Sequence, residues 1–173
     1  MVPSVPDETL RTAVLADHHE MSDFDCGEPT LNDWLRRYSR RNQRLDSSQT
    51  YVLCRDDRVT GYYALTAGSV EKEKATYRST KGMPPYPIPV IVLARLAVDR
   101  TVQGRGLGAW LLFDALQRCL GAADQIGVRA VLVHALNESA KKFYLRHDFE
   151  EVPGHSLHLM LTMQDLRRAR IAT

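Results

Sequence analysis

Hydrophobic positions along the chain switch between a two-residue spacing and a three-to-four-residue spacing, which predicts strands alternating with helices. Residues 10–16 alternate as a strand, with Leu10, Thr12, Val14 and Ala16 on one face. Thr30-x-x-Asp33 follows Pro29 as a capping pattern and opens a helix over 30–45, with Leu31, Trp34, Leu35, Tyr38 and Leu45 along its buried side. Residues 49–55 and 59–68 are strands joined by the hairpin signal Asp56-Asp57-Arg58. Residues 68–87 form a long polar connection rich in Lys, Pro and Gly, of a length that is usually functional or disordered. Ile88–Val98 is dense in aliphatic residues and reads as a buried strand. A helix over 109–120 follows, with Leu107, Leu111, Leu112, Ala115, Leu116 and Cys119 inward and Gly121 as its stop. A strand at 128–136, a short helix at 137–147, a strand at 157–163 and a basic helical tail complete the order. No repeat or second domain interrupts it, so residues 1–173 read as a single domain.

Between the buried strand and its helix lies Gln103-Gly-Arg-Gly-Leu-Gly108. A glycine turn at a helix N-terminus presents unpaired N–H groups at the positive end of the macrodipole, which favours a phosphate. A Walker A loop is excluded, because no Lys-Ser or Lys-Thr pair follows Gly108. The dinucleotide fingerprint Gly-x-Gly-x-x-Gly fails on spacing. The pattern Gln/Arg-x-x-Gly-x-Gly/Ala is met by Gln103, Gly106 and Gly108.

With 173 residues the chain can bury about 70% of its unfolded surface. Its apolar fraction of 44% and charged fraction of 25% are ordinary for a globular domain. No stretch approaches the roughly 18 apolar residues of a membrane span. Residues 1–8 carry neither the basic nor the apolar region of an export signal, so a cytoplasmic location is expected. Cys26, Cys54 and Cys119 are odd in number and scattered, as reduced thiols are. The six histidines show no ligand spacing, and no metal is expected.

The glycine turn after a strand, and the element order around it, resemble the Gcn5-related N-acetyltransferase (GNAT) family. A second block, Asn137-Glu-Ser-Ala-Lys-Lys-Phe-Tyr144-Leu-Arg-His-Asp-Phe149, is similar to that family's Asn-x-x-Ala-x-x-Phe-Tyr followed by x-Gly-Phe. Asn137 and Tyr144 are seven residues apart, two helical turns, and share a side. Asp148 stands where the family usually has glycine, a departure that bears on the corner's geometry. The resemblance covers nearly the whole chain and implies an α/β GNAT (acyl-CoA N-acyltransferase) fold, a mixed, mostly antiparallel central sheet flanked by helices.

The same resemblance implies an acetyltransferase using acetyl-CoA. Gln103, Gly104, Arg105, Gly106, Leu107 and Gly108 would hold the pyrophosphate. The backbone of Leu96, Ala97 and Val98 would meet the pantetheine amides and the thioester oxygen. Tyr144 is then the candidate general acid for the sulfur; its other reading is a core aromatic beside Phe143 and Phe149. Asn137 either bonds the pantetheine arm or simply caps its own helix.

Substrate choice follows from an absence. The strand Ile88–Val98 holds no Glu or Asp, so no carboxylate there can deprotonate an amine. Neutralising a lysine amine at pH 7 costs about 4–5 kcal/mol, whereas an α-amine costs about 1. An enzyme without a base on that strand suits an α-amine, unless Glu71, Glu73 or Asp99 approaches from a loop.

Charge is distributed unevenly. Residues 1–35 hold eight acids against Arg11, a balance of −7 in a chain of +2. Arg36, Arg37, Arg40, Arg41 and Arg44 read as the polar face of the first helix with no acid among them. Lys72, Lys74, Arg78 and Lys81 populate the long connection, and Lys141, Lys142 and Arg146 edge the Tyr144 helix. Such charge is either a solvated face or a footprint for a polyphosphate. The blocks Phe24–Leu35, Arg95–Asp99, Gln103–Gly108 and Phe143-Tyr144 resemble one GNAT branch, the toxins of bacterial toxin–antitoxin modules. That resemblance implies acetylation of the α-amino group of aminoacyl-tRNA, a block of translation, a homodimer and a ribbon-helix-helix antitoxin. Arg95, the arginine-rich helix and the lysine loop would meet tRNA. An ordinary GNAT acting on a small amine or protein N-terminus is the alternative enzyme. A non-catalytic regulatory partner that keeps the fold is the third reading.

Overall fold

The computed structural model describes residues 10–171; the reading of residues 1–8 as lacking an export signal lies outside them. Seven strands form one mixed sheet in the order β1-β2-β3-β4-β5-β7-β6. They are β1 (Leu10–Val14), β2 (Gln49–Arg55), β3 (Arg58–Val70), β4 (Ile88–Val98), β5 (Ala130–His134), β6 (Glu150–Val152) and β7 (His155–Thr162). The helices are α1 (Pro29–Asp33), α2 (Ser39–Arg44), α3 (Tyr77–Thr80), α4 (Leu107–Ala123), α5 (Glu138–Leu145) and α6 (Met163–Ile171). This is the mixed, mostly antiparallel sheet expected from the sequence. The chain divides into two compact units, Met1–Thr66 with Ala94–Ala115, and Ala67–Leu93 with Leu116–Thr173.

In the first unit β1 and β3 flank β2, both antiparallel to it. The core gathers Leu15, Met21, Phe24, Leu35, Val52, Val59 and Tyr62, with Leu31 and Trp34 packed on it. Full burial of such a side chain is worth about 1.5–3 kcal/mol. The alternation expected in β1 is broken: Leu15 is buried and Val14 exposed. Gly61 is needed where β3 passes α4, because a Cβ there would stand 2.9 Å from the Leu111 side chain and 3.3 Å from the Ala97 carbonyl.

The first helix departs from expectation at both its cap and its face. It begins on Pro29, a favoured first position, so that Glu28 rather than Thr30 stands at the N-cap, without a side-chain cap hydrogen bond. Residues Trp34–Tyr38 then form a π-helical turn, with the Ser39 N–H donating to the Trp34 carbonyl five residues back. The extra residue rotates the face that follows. Ser39 is buried, while Tyr38 and Leu45, expected inside, are 49% and 64% exposed.

In the second unit β5 pairs parallel with β4, from Val90↔Ala130 to Leu93↔Val133, and antiparallel with β7. Its core joins Ile88, Val90, Leu132, Val152 and Met160 to Ala75 and Met83. Those last two residues belong to the connection read as loop. β3 in fact extends to Val70, and a 3-10 turn at Lys72–Lys74 and α3 follow. Arg129 pins α3 by donating to the carbonyls of Ser79, Arg78 and Lys81 at 3.0–3.1 Å. Gly121 does not stop α4, which continues to Ala123. Among the described residues no helix is long and apolar enough to cross a membrane.

Candidate functional site

In the first unit β4 ends at Val98, and Asp99 begins a tight scaffold. The Asp99 carboxylate is buried and accepts from the Asp25 N–H at 3.0 Å, the Thr101 N–H at 2.9 Å and the Thr101 hydroxyl at 2.6 Å. Burial disfavours that charge, yet the hydrogen bonds outweigh it and hold the Asp99 pKa below the usual carboxylate value. A carboxylate so occupied is a poor base. Asp25 accepts from the Gly27 N–H and the Asn32 amide, and Asn32 in turn accepts from the Cys26 N–H, all at 2.9 Å. Asp25 and Asn32 were missed from the sequence, and Asp99, weighed there only as a possible base, turns out to be a scaffold residue.

Onto that scaffold sits the glycine turn. Gln103 donates its amide to the carbonyls of Cys26 at 3.0 Å and Val98 at 2.8 Å, so its side chain shapes the turn. Gly104 and Gly106 have φ of +75° and +77°, and no atom lies within 4 Å of where a Cβ would be. Only glycine enters that conformation freely, and the open side leaves room for an oxyanion to approach the backbone. α4 starts at Leu107 with no acidic residue in its first turn. Bare N–H groups, the helix dipole and no competing carboxylate fit a pyrophosphate.

Arg95 on β4 places its guanidinium 5.3 Å from the centre of the Trp34 ring and donates to the Ala94 carbonyl at 2.6 Å. Trp34 stacks on Tyr62 at 5.9 Å, and the Tyr62 hydroxyl donates to the Leu31 carbonyl. The arginine-rich helix is less uniformly available than its charge implies. Arg36 donates to the Phe24 carbonyl, and Arg40 to the carbonyls of Ala16, Asp17 and His19. Asp33 lies 3.7 Å from Arg36 and 3.9 Å from Arg37, so the face is not free of acid. Arg37, Arg41 and Arg44 are exposed.

The second unit carries Asn137, Tyr144 and the lysines of the connection. Asn137 accepts from the Ala140 N–H at 2.9 Å as the N-cap of α5. Of its two readings the cap is the one the geometry displays. Tyr144 is 6% exposed, edge-on to Phe143 at 5.1 Å and to Phe149 at 5.5 Å, and burial pushes its phenol well above the usual range. It therefore holds its proton at neutral pH. Asp148 has φ of +66°, so the corner after α5 keeps the left-handed turn that a glycine would make. Lys72 donates to the Met83 carbonyl at 2.7 Å, and Arg78 is paired with Glu150 and Asp165. Lys74 and Lys81 are exposed.

Burial raises the Cys54 and Cys119 thiols to about 11 and about 12, so neither is a nucleophile near neutral pH. Among the described residues no group of three His, Cys, Asp or Glu side chains is placed to hold a metal.

An acetyltransferase (GNAT) domain matches residues 46–151, more than half of the chain. The tRNA-acetylating toxin of Mycobacterium tuberculosis strain H37Rv is 51% identical over 153 residues, covering 88% of this chain and 92% of that protein. The structure of AtaT complexed with acetyl-methionyl-tRNAfMet superposes with a TM-score of 0.87 at 32% identity, covering 93% of this chain and 99% of that one. A tyrosine-to-phenylalanine mutant of the AtaT toxin, bound to the C-terminus of the antitoxin AtaR and acetyl-CoA, superposes with a TM-score of 0.81 at 30% identity, covering 94% and 99%. With its glycine turn, its strand order and these likenesses, the chain belongs to the GNAT acetyltransferase family.

Proposed function

We propose that this protein transfers acetyl from acetyl-CoA to the α-amino group of aminoacyl-tRNA, and that it is the toxin of a toxin–antitoxin pair. The observation that carries the reading is the 51% identity to a tRNA-acetylating toxin across nearly the full length of both chains. The chemistry of the residues agrees with it. β4 holds no acid, and Asp99 is committed to its scaffold, which favours an amine that is easily neutral.

Acetyl-CoA supplies an activated thioester. In this reading the backbone of residues 103–108 holds the pyrophosphate, with Gln103 setting the turn's shape. The N–H and carbonyl groups of Leu96, Ala97 and Val98 orient the pantetheine. Tyr144 gives its phenolic proton to the departing sulfur, and Asn137 fixes the start of the helix that carries it. Arg37, Arg41, Arg44, Lys74, Lys81 and Arg95 meet RNA phosphates, while Arg36, Arg40 and Lys72 hold the segments that present them. The chain works as one catalytic domain in the cytoplasm, as a homodimer silenced by a ribbon-helix-helix antitoxin; the antitoxin-bound AtaT structure supports that pairing.

Induced expression in a bacterial host tests the reading. Growth arrest is expected, together with rescue when Tyr144→Phe is expressed at the same level. A harmless wild-type protein, made in quantity and folded, would contradict it.

A further inference from the structure

β5 ends on His134, and its register with β7 sets that residue opposite His158. The two imidazoles stack 4.0 Å apart at 19°. His155 adds a third ring, 5.2 Å from His158 at 12°. The three form one near-parallel column with His158 in the middle and Lys74 close enough to repel a charge on that central ring. Acetyl transfer makes no use of this column. Core packing does not explain it either, since His134 is exposed and stacks on no ring but His158 among the described residues. Nor does the arrangement suit a metal, because stacked rings present faces rather than converging lone pairs.

Partial desolvation of the exposed His134 ring lowers its pKa from the ordinary imidazole value. Desolvation does the same for His158, helped by His134, His155 and Lys74. Both shifts favour the uncharged form, which leaves the rings as π surfaces, with the positive charge of Lys74 acting on His158. Histidine is among the side chains on which unpaired RNA bases stack, and a neighbouring lysine complements the phosphate that follows such a base. His134 also lies three residues before Asn137, the cap of the helix bearing Tyr144, within the same unit.

We propose that the His134–His158–His155 column is a stacking ledge for an unpaired nucleobase of the RNA substrate, with Lys74 meeting the adjoining phosphate. This rests on charged tRNA being the acceptor, whose 3′ end is single-stranded and so offers bases free to stack.

Two variants separate stacking from structure. His134→Ala removes the terminal ring and is expected to raise KM for charged tRNA about tenfold, from the usual worth of one stacked base. Its kcat, its melting temperature and its calorimetric Kd for acetyl-CoA stay near wild type. His134→Phe restores a flat ring without the imidazole nitrogens and recovers most of the loss. A KM for His134→Ala within twofold of wild type, or a His134→Phe variant equally impaired, overturns the ledge while leaving the proposed function standing. If the wild-type protein acetylates no charged tRNA, the function falls instead. The ledge is then decided by adding the single-stranded trinucleotide CCA and following the histidine C–H resonances. Upfield ring-current shifts in wild type that vanish in His134→Ala support it; unshifted resonances overturn it.

Discussion

Replacing Gly106 with alanine perturbs the glycine turn through the backbone alone. At φ of +77° an L-residue carries a left-handed strain of about 1–2 kcal/mol. No atom lies within 4 Å of the new methyl, so neither a clash nor a packing gain alters that figure. In a chain of this size each kcal/mol lowers Tm by roughly 2–4 °C. The larger effect is on ligand. The methyl occupies the open side from which a pyrophosphate would reach the N–H groups, and relaxing the strain turns those groups away. A hydrogen bond to a charged group is worth about 1.5–3 kcal/mol, so losing one weakens acetyl-CoA binding by more than about tenfold. Scanning fluorimetry gives the first number and titration calorimetry the second. A variant that melts lower yet binds acetyl-CoA within twofold of wild type would refute the assignment of this turn to the pyrophosphate.

Gly121→Ala is the opposite case. It lies inside α4 with no atom within 4 Å of its Cβ direction, and alanine there is expected to stabilise the protein by about 1 kcal/mol, read as a higher urea midpoint. Asp148→Gly relieves a left-handed non-glycine residue, and a gain of about 0.5 kcal/mol should appear in the same assay, with activity unchanged. Asp99→Asn leaves at least one of the three part-buried donors without its acceptor, costing about 1 kcal/mol. Its pH dependence has a fixed sign. The folded-state pKa of Asp99 lies below its ordinary 3.8, so the wild-type stabilisation is complete above that value and is lost as pH falls through the folded one. Urea midpoints measured from about pH 6 to pH 2 should therefore show wild type and variant converging only at the acid end.

How far the fold was readable differs from element to element. β4 and β2 were legible to the residue, because continuous apolar and β-branched runs bounded by turn signals leave little choice of ends. The first helix was legible in place but not in face. A π turn at Trp34–Tyr38 inserts one residue, and no local pattern announces it. The order within 71–87 was hidden because Arg129, about fifty residues away, supplies the hydrogen bonds that hold α3. At the candidate site the glycine turn was evident from spacing. The side chain of Gln103 was not, since its partners at Cys26 and Val98 are fixed by tertiary structure. The histidine column escaped for the same reason: strand register brings His134 onto His158 across 24 positions of sequence.

The most direct test of acetyl transfer to charged tRNA uses the acceptor itself. Total aminoacyl-tRNA is incubated with isotopically labelled acetyl-CoA and the protein, and the released amino acids are analysed by mass spectrometry. The label is expected on the α-nitrogen of at least one amino acid, with the rate reduced about a hundredfold or more by Tyr144→Phe. Label on small amines or protein N-termini with none on charged tRNA, or transfer undiminished in Tyr144→Phe, would contradict the account.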